Sequence, residues 1–152
     1  MSTAASELPP DEARGLWLAL TASRLGAAHQ AVGLPNQDAV AAQQVQPDVL
    51  VAAVADGHGH QRHFRSARGS KLAVAVACEA AQELAARLDE FEAAGPIESE
   101  VLRNLVPAIT GRWRNAVRDD IAADPFTIQE QAARASGDSA VAVAVVGRIS
   151  VE

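Results

Sequence analysis

The apolar run Val49–Ala55, cut off at once by Asp56-Gly57-His58-Gly59, constrains this chain more than any other segment. Seven uncharged residues, all valine, leucine or alanine, read as a strand, and the Asp-Gly pair stops it because both residues favour turns. A second acid, Asp38, stands eighteen residues earlier, in front of another short apolar segment, Ala39–Val45. Gln46, Pro47 and Asp48 supply a turn between the two. A strand, a turn and a returning strand bring their outer ends together, which predicts Asp38 and Asp56 at the same end of an antiparallel pair. Two carboxylates and the Gly57 carbonyl at a sheet edge make an all-oxygen set suited to Mg²⁺ or Mn²⁺. Ions held there activate a water as nucleophile and neutralise phosphoryl oxygens. His58 is the candidate general acid for the leaving alkoxide, histidine being the side chain most often used to give or take a proton at neutral pH. The plain alternative is an Asp-Gly turn that only reverses the chain.

The 152 residues amount to one domain, and 49% of them are hydrophobic. Aromatics make up only 3%, and much of the apolar share is alanine, so the core must rely on close helix approach rather than bulky side chains. A formal net charge of −6 argues against nucleic acid as a partner, because a basic face supplies most of that affinity. The local exception is Arg62, His63, Arg65, Arg68 and Lys71, which reads either as an anion-attracting patch or as a solvated helix start. Cys78 is the single cysteine, which rules out an internal disulfide and fits a reducing compartment; its alanine-rich setting reads as buried filler. The polar, acidic N-terminus has no apolar signal core, and no uncharged stretch approaches a membrane span. Those features predict a cytoplasmic protein with no membrane partner.

Residues 1–14 read as a flexible tail, and 15–152 as the folded part. Gly15–Arg24 alternates well enough for a strand with Trp17 on the core face, and Gly26–Asp38 is a breaker-rich loop. Ser66–Phe91 is the clearest helix, with Leu72, Val76, Ala80, Leu84 and Leu88 recurring every four residues. A second helix spans Ser99–Ile121 on Leu105, Ile109, Trp113, Val117 and Ile121; Pro107 and Gly111 are expected to kink or interrupt it. The two stripes predict helices side by side on one sheet face, with Leu84, Leu88, Leu105, Ile109 and Trp113 buried. Residues 122–138 read as a polar connector, and Ala140–Val146 as a strand. Strands grouped ahead of helices point to an α+β layering rather than alternating βαβ units.

The same loop offers a rival chemistry. His58, His60 and His63 spell H-x-H-x-x-H, a spacing that resembles zinc hydrolases of the metallo-β-lactamase type. That pattern places an aspartate just before the last histidine, whereas Arg62 stands here, and His29 is the only other histidine.

The ordered set AVGLPNQDAV, VAAVADGHGH, FRSARGSKLAV and GRWRNAVRDDI resembles the N-terminal half of the type 2C metal-dependent protein serine/threonine phosphatases, closest to a bacterial subgroup with Asn-Gln-Asp in its first motif. The resemblance runs from about Trp17 to Val146. It implies a β-sandwich of two antiparallel sheets flanked by helices, with two Mg²⁺ or Mn²⁺ ions at one end and phosphoserine or phosphothreonine proteins as substrates. By motif position Asp56 bridges the metals, Gly57 offers its carbonyl, Asp38 is the first-motif acid and His58 the general acid.

Three departures qualify what the resemblance implies. Many members carry a phosphate-binding arginine where this chain has Gly33, which leaves Arg24 or His29 as stand-ins. Gln37 replaces a glutamate and removes one negative charge from the site. Members also continue past the last strand with further metal-binding aspartates, while Asp138 sits where the family has only a turn; the reading is therefore the front portion of a phosphatase domain, incomplete at its C-terminus. Such a portion leaves sheet edges open to self-association. The competing class is a non-catalytic, phosphatase-like binding module.

Overall fold

A computed structural model describes residues 17–58, 63–88, 90, 101–137 and 143–150. Three antiparallel strands form one sheet in the order β1 (Ala39–Gln46), β2 (Val49–Gly57), β3 (Val143–Ser150). β1 and β2 are joined by the two-residue turn at Pro47 and Asp48. The register runs from Ala39 opposite Ala55 to Gln46 opposite Val49, with an irregularity between Gln44 and Gln46. β3 closes the other side of β2, Leu50 facing Ser150 and Gly57 facing Val143. The helices are α1 (Ala27–Ala31), α2 (Ser66–Ala85), α3 (Val106–Ala123) and α4 (Ile128–Ala135). Helices packed with an antiparallel sheet make an α+β fold, as the grouping of elements predicts. The described residues contain one sheet, so the second sheet of a sandwich is not among them.

α2 lies across all three strands, and α3 packs on α2. The interface with the sheet is made of small residues. Val51, Ala53 and Ala55 of β2 meet Ala73, Val74, Ala77, Cys78 and Ala81 of α2, with Ala39, Ala41 and Val45 of β1 at the margin. Gly69 and Ser70 are also buried, so nothing large holds the helix off the sheet. This is the alanine-based core that the composition calls for. The Cys78 thiol sits inside it, its pKa pushed up by burial, as inert filler.

Several sequence expectations are corrected here. Residues 17–26 form no strand: Trp17 is half-buried and its Nε1 donates to the Asp48 carbonyl (2.8 Å), so a side-chain bond to a turn replaces the pairing that a strand would need. α2 stops at Ala85, and after a turn at 86–87 Leu88 and Glu90 are helical again; Phe91 lies outside the described residues. The reason for the stop is tertiary, because Gln46 Nε2 takes the Ala85 carbonyl (3.0 Å) and caps the helix end from β1. Proline does interrupt the second helical stretch, which begins as a π-helical turn, Val101–Leu105, and becomes α-helical with Pro107 in its first turn, where a missing N–H costs nothing. Gly111 causes no break in α3. The connector at 122–138 holds a helix, α4, started by a capping box in which Thr127 Oγ1 accepts from Glu130 N while Glu130 reaches back to Thr127 N.

The stripe prediction holds in part. Leu84 and Leu105 are buried and share a cluster with Ala80, but Leu88, Ile109 and Trp113 are only half-buried. A helix resting on one other helix buries a narrower face than a helix laid on a sheet, and α3 contacts chiefly α2. Trp113 still reaches inward, its Nε1 donating to the Gly69 carbonyl (3.0 Å). No described helix is long and apolar enough to cross a membrane.

Candidate metal centre at the strand end

The β1–β2 register decides where the two acids stand. Ala39 pairs with Ala55, so one step further out Asp38 and Asp56 come to the same end of neighbouring strands, the placement that the eighteen-residue spacing predicts. Both are exposed. Burial alternates along β2, with Val49, Val51, Ala53, Ala55 and Gly57 facing α2 and Asp56 on the opposite face. Asp38 is held by a local turn: its N–H donates to Asn36 Oδ1 (3.1 Å), and Asn36 Nδ2 donates to Ser23 Oγ (2.7 Å).

Beyond the acids the chains close up. A Cβ at Gly57 would lie 2.3 Å from the Gln37 carbonyl oxygen and 2.8 Å from Gln37 Cβ, so only glycine admits this approach. Gln37 is 2% exposed, and its Oε1 has no hydrogen-bond partner among the described residues. A buried acceptor left without a donor is costly, and it marks a place where a water or cation belongs. Asp38, Asp56 and the Gly57 carbonyl are hard oxygen donors at one strand end, the chemistry that Mg²⁺ and Mn²⁺ take. The donors thus fit the ion in kind. Among the described residues, however, no group of three or more histidine, cysteine, aspartate or glutamate side chains gathers as a metal site. His58 is exposed directly after Gly57, its ring edge-to-face with that of His63 at 5.0 Å between centroids. His60 and Arg62 lie outside the described residues, so the H-x-H-x-x-H set is not seen whole.

A family model described as protein phosphatase 2C matches residues 25–147 of the chain. The chain belongs to the protein phosphatase 2C family. No curated protein and no solved structure matches it. Phosphatases of the 2C family are generally Mg²⁺- or Mn²⁺-dependent and act on phosphoproteins.

Gly33, where the resemblance leads one to expect a phosphate-binding arginine, has a backbone reason to be glycine in this 2C-family chain. Gly33 sits at φ +70°, where an L side chain is strained, and closes α1: Gly33 N donates to the Gln30 carbonyl (3.2 Å) and Leu34 N to the His29 carbonyl (3.0 Å). Neither proposed stand-in is brought to the acids by a described hydrogen bond or ion pair. Arg24 is exposed in the irregular 17–26 stretch, and His29 is half-buried in α1.

The basic cluster after the loop resolves against the anion-patch reading for two of its members. Arg65 is 6% exposed and engages Glu130, and Arg68 engages Asp120 and Asp124. These are arginines already neutralised by acids, and both hold their protons more firmly than usual, mainly through hydrogen bonds to those carboxylates. The Arg65 guanidinium holds the Glu130 carboxyl down at about 2, with the Thr127 backbone N–H assisting. Lys71 remains exposed, and Arg62 falls outside the described residues. Sequence reading overlooked this Arg65–Glu130 pairing. The one available signal was Thr127-x-x-Glu130, a capping box in the connector; nothing local ties it to Arg65, sixty-five residues away.

Proposed function

We propose that this chain carries the metal-binding edge of a serine/threonine phosphatase, with Asp38, Asp56 and the Gly57 carbonyl holding Mg²⁺ or Mn²⁺. The observation that carries the reading is the pairing of β1 with β2, which sets Asp38 beside Asp56 at one strand end. The metal would supply an activated water and electrostatic stabilisation of the phosphoryl oxygens. Asp56 projects from the open face of the sheet, where an ion and a protein-borne phosphoserine or phosphothreonine have access. His58, exposed beside it, delivers a proton to the leaving serine or threonine oxygen. Gly57 lets the first motif close on the second without a side chain between them. Gln37 supplies a neutral acceptor, so the ion meets two carboxylates here and not three, and its affinity is correspondingly weak.

A specific observation also favours a second reading, a phosphatase-like binding module. No third acidic side chain joins Asp38 and Asp56 among the described residues, and compact divalent-ion sites need several convergent carboxylates to offset ion dehydration. The two readings separate in one experiment, Mn²⁺ binding and p-nitrophenyl phosphate turnover by the 152-residue chain and its Asp56→Asn variant. Mn²⁺-dependent turnover that disappears in Asp56→Asn supports the enzyme. Weak Mn²⁺ binding lost in Asp56→Asn, with negligible turnover in both, supports the binding module. Binding and turnover that ignore Asp56 overturn the metal assignment.

A further inference from the structure

His58 directly follows the end of β2 and His63 directly precedes Phe64 and Arg65 before α2, and the structure holds both of these places. At the first, Gly57 is the last residue of β2, paired with Val143 and flush against Gln37. At the second, Arg65 spreads its guanidinium over residues 124–130. Nε and Nη2 donate to the two Glu130 carboxylate oxygens (2.9 and 2.8 Å), and Nη1 donates to the Asp124 carbonyl (2.7 Å). Nη2 also reaches the Pro125 carbonyl (3.4 Å), and the guanidinium carbon lies 4.5 Å from the centre of the Phe126 ring. Phe64, one residue earlier, meets Phe126 edge-to-face at 6.0 Å. Glu130 is itself oriented by the capping box at the start of α4.

A buried ion pair contributes little net stability, because desolvation offsets most of its attraction; what it supplies is a single geometry. A planar guanidinium held at four acceptors and one ring has almost no freedom left. The Arg68 pairs with Asp120 and Asp124 add a second tie between the start of α2 and the end of α3. The rings of His58 and His63 meet edge-to-face, 5.0 Å between centroids, which is the described contact that joins the Arg65 side to His58.

We propose that Arg65 is a positioning residue for the strand-end centre: seated on residues 124–130, it fixes the chain next to His63 and so sets where His58 and His63 stand relative to Asp56. The placement rests on geometry alone, while its consequence for a metal rests on the phosphatase reading above. The test compares the full chain with Arg65→Lys, which keeps the charge but loses the planar fork, and with Glu130→Gln, using Arg112→Ala in the exposed Arg112–Glu83 pair as a control. Circular dichroism establishes that each variant is folded, at low temperature if needed. Histidine-detected NMR then reads the ring-to-ring contact of His58 and His63, with His29 as an internal reference, and a Mn²⁺ titration reads metal affinity.

Expected in Arg65→Lys and Glu130→Gln is a lost or shifted His58–His63 contact with His29 unmoved, and Mn²⁺ affinity lower by about tenfold, the scale on which outer supports of metal sites act. Arg112→Ala should match the parent in both. Folded variants that keep the parental histidine contact overturn the proposal, as does a lost contact with Mn²⁺ affinity unchanged. If the contact is lost but the parent itself binds no Mn²⁺, the positioning of the histidines stands and the phosphatase reading fails.

Discussion

The two faces of β2 differ sharply. Toward α2, Val49, Val51, Ala53 and Ala55 are at most 3% exposed, whereas on the other face Val54 is 46% exposed and Asp56 is open to solvent. The strand's contribution to stability is therefore made on one side and its chemistry on the other. Such a division lets the acid be exchanged without disturbing the core. It also explains why the apolar run in the sequence is longer than the core that it feeds, since continuous apolar strands imply burial on both faces and only one is covered here by described residues.

The largest effect that can break this comparison comes from placing the same charge on each face. Val51→Lys should cost on the order of 4 kcal/mol or more, because a buried cation would find no acid among the alanines around it. Val54→Lys should stay within about 0.5 kcal/mol, as exposed substitutions do. Urea denaturation of both variants gives the contrast directly. A large loss in Val54→Lys would show that the open face is covered in solution, and sedimentation of the parent chain would then reveal whether a second copy covers it.

One layer further from the sheet, Trp113→Ala should cost about 2–3 kcal/mol, below the range for a fully buried tryptophan, since the ring is half-buried and loses one bond to Gly69. A loss well above that range would mean that α3 packs more deeply than its contacts show. At the strand end, Gly57→Ala should cost about 1–3 kcal/mol by overpacking against the Gln37 backbone, and should weaken Mn²⁺ binding by displacing the carbonyl. Unchanged stability there would contradict the close approach of the two motifs. The smallest effect runs the other way. Gly111 lies on the exposed face of α3 with nothing within 4 Å of the place a methyl group would take, so Gly111→Ala should gain about 0.5–1 kcal/mol in thermal or urea unfolding.

Local pattern alone determined the elements with strong periodicity and the meeting of the two acids. The Val49–Ala55 run, the Pro47-Asp48 turn and the alanine-rich stripe of α2 each carry their own conformational preference, and a hairpin needs no distant contact to set its register. Asp38 and Asp56 were legible for that reason. Only the tertiary structure decided the rest. Gly15–Arg24 has a strand-like pattern, but its described part, residues 17–24, has no described partner strand, and an alternation without a ladder is not a strand. α2 ends where Gln46 reaches the Ala85 carbonyl, a contact between residues thirty-nine apart. Arg65 reads in the sequence as one cation among several. It becomes a buried anchor because Glu130, the Asp124 carbonyl and Phe126 converge on it from a segment that local pattern marks as a connector. The physical reason is common to all three. Propensity and periodicity act over a few residues, whereas satisfying a helix end, a strand edge or a buried charge requires groups that folding alone brings within reach.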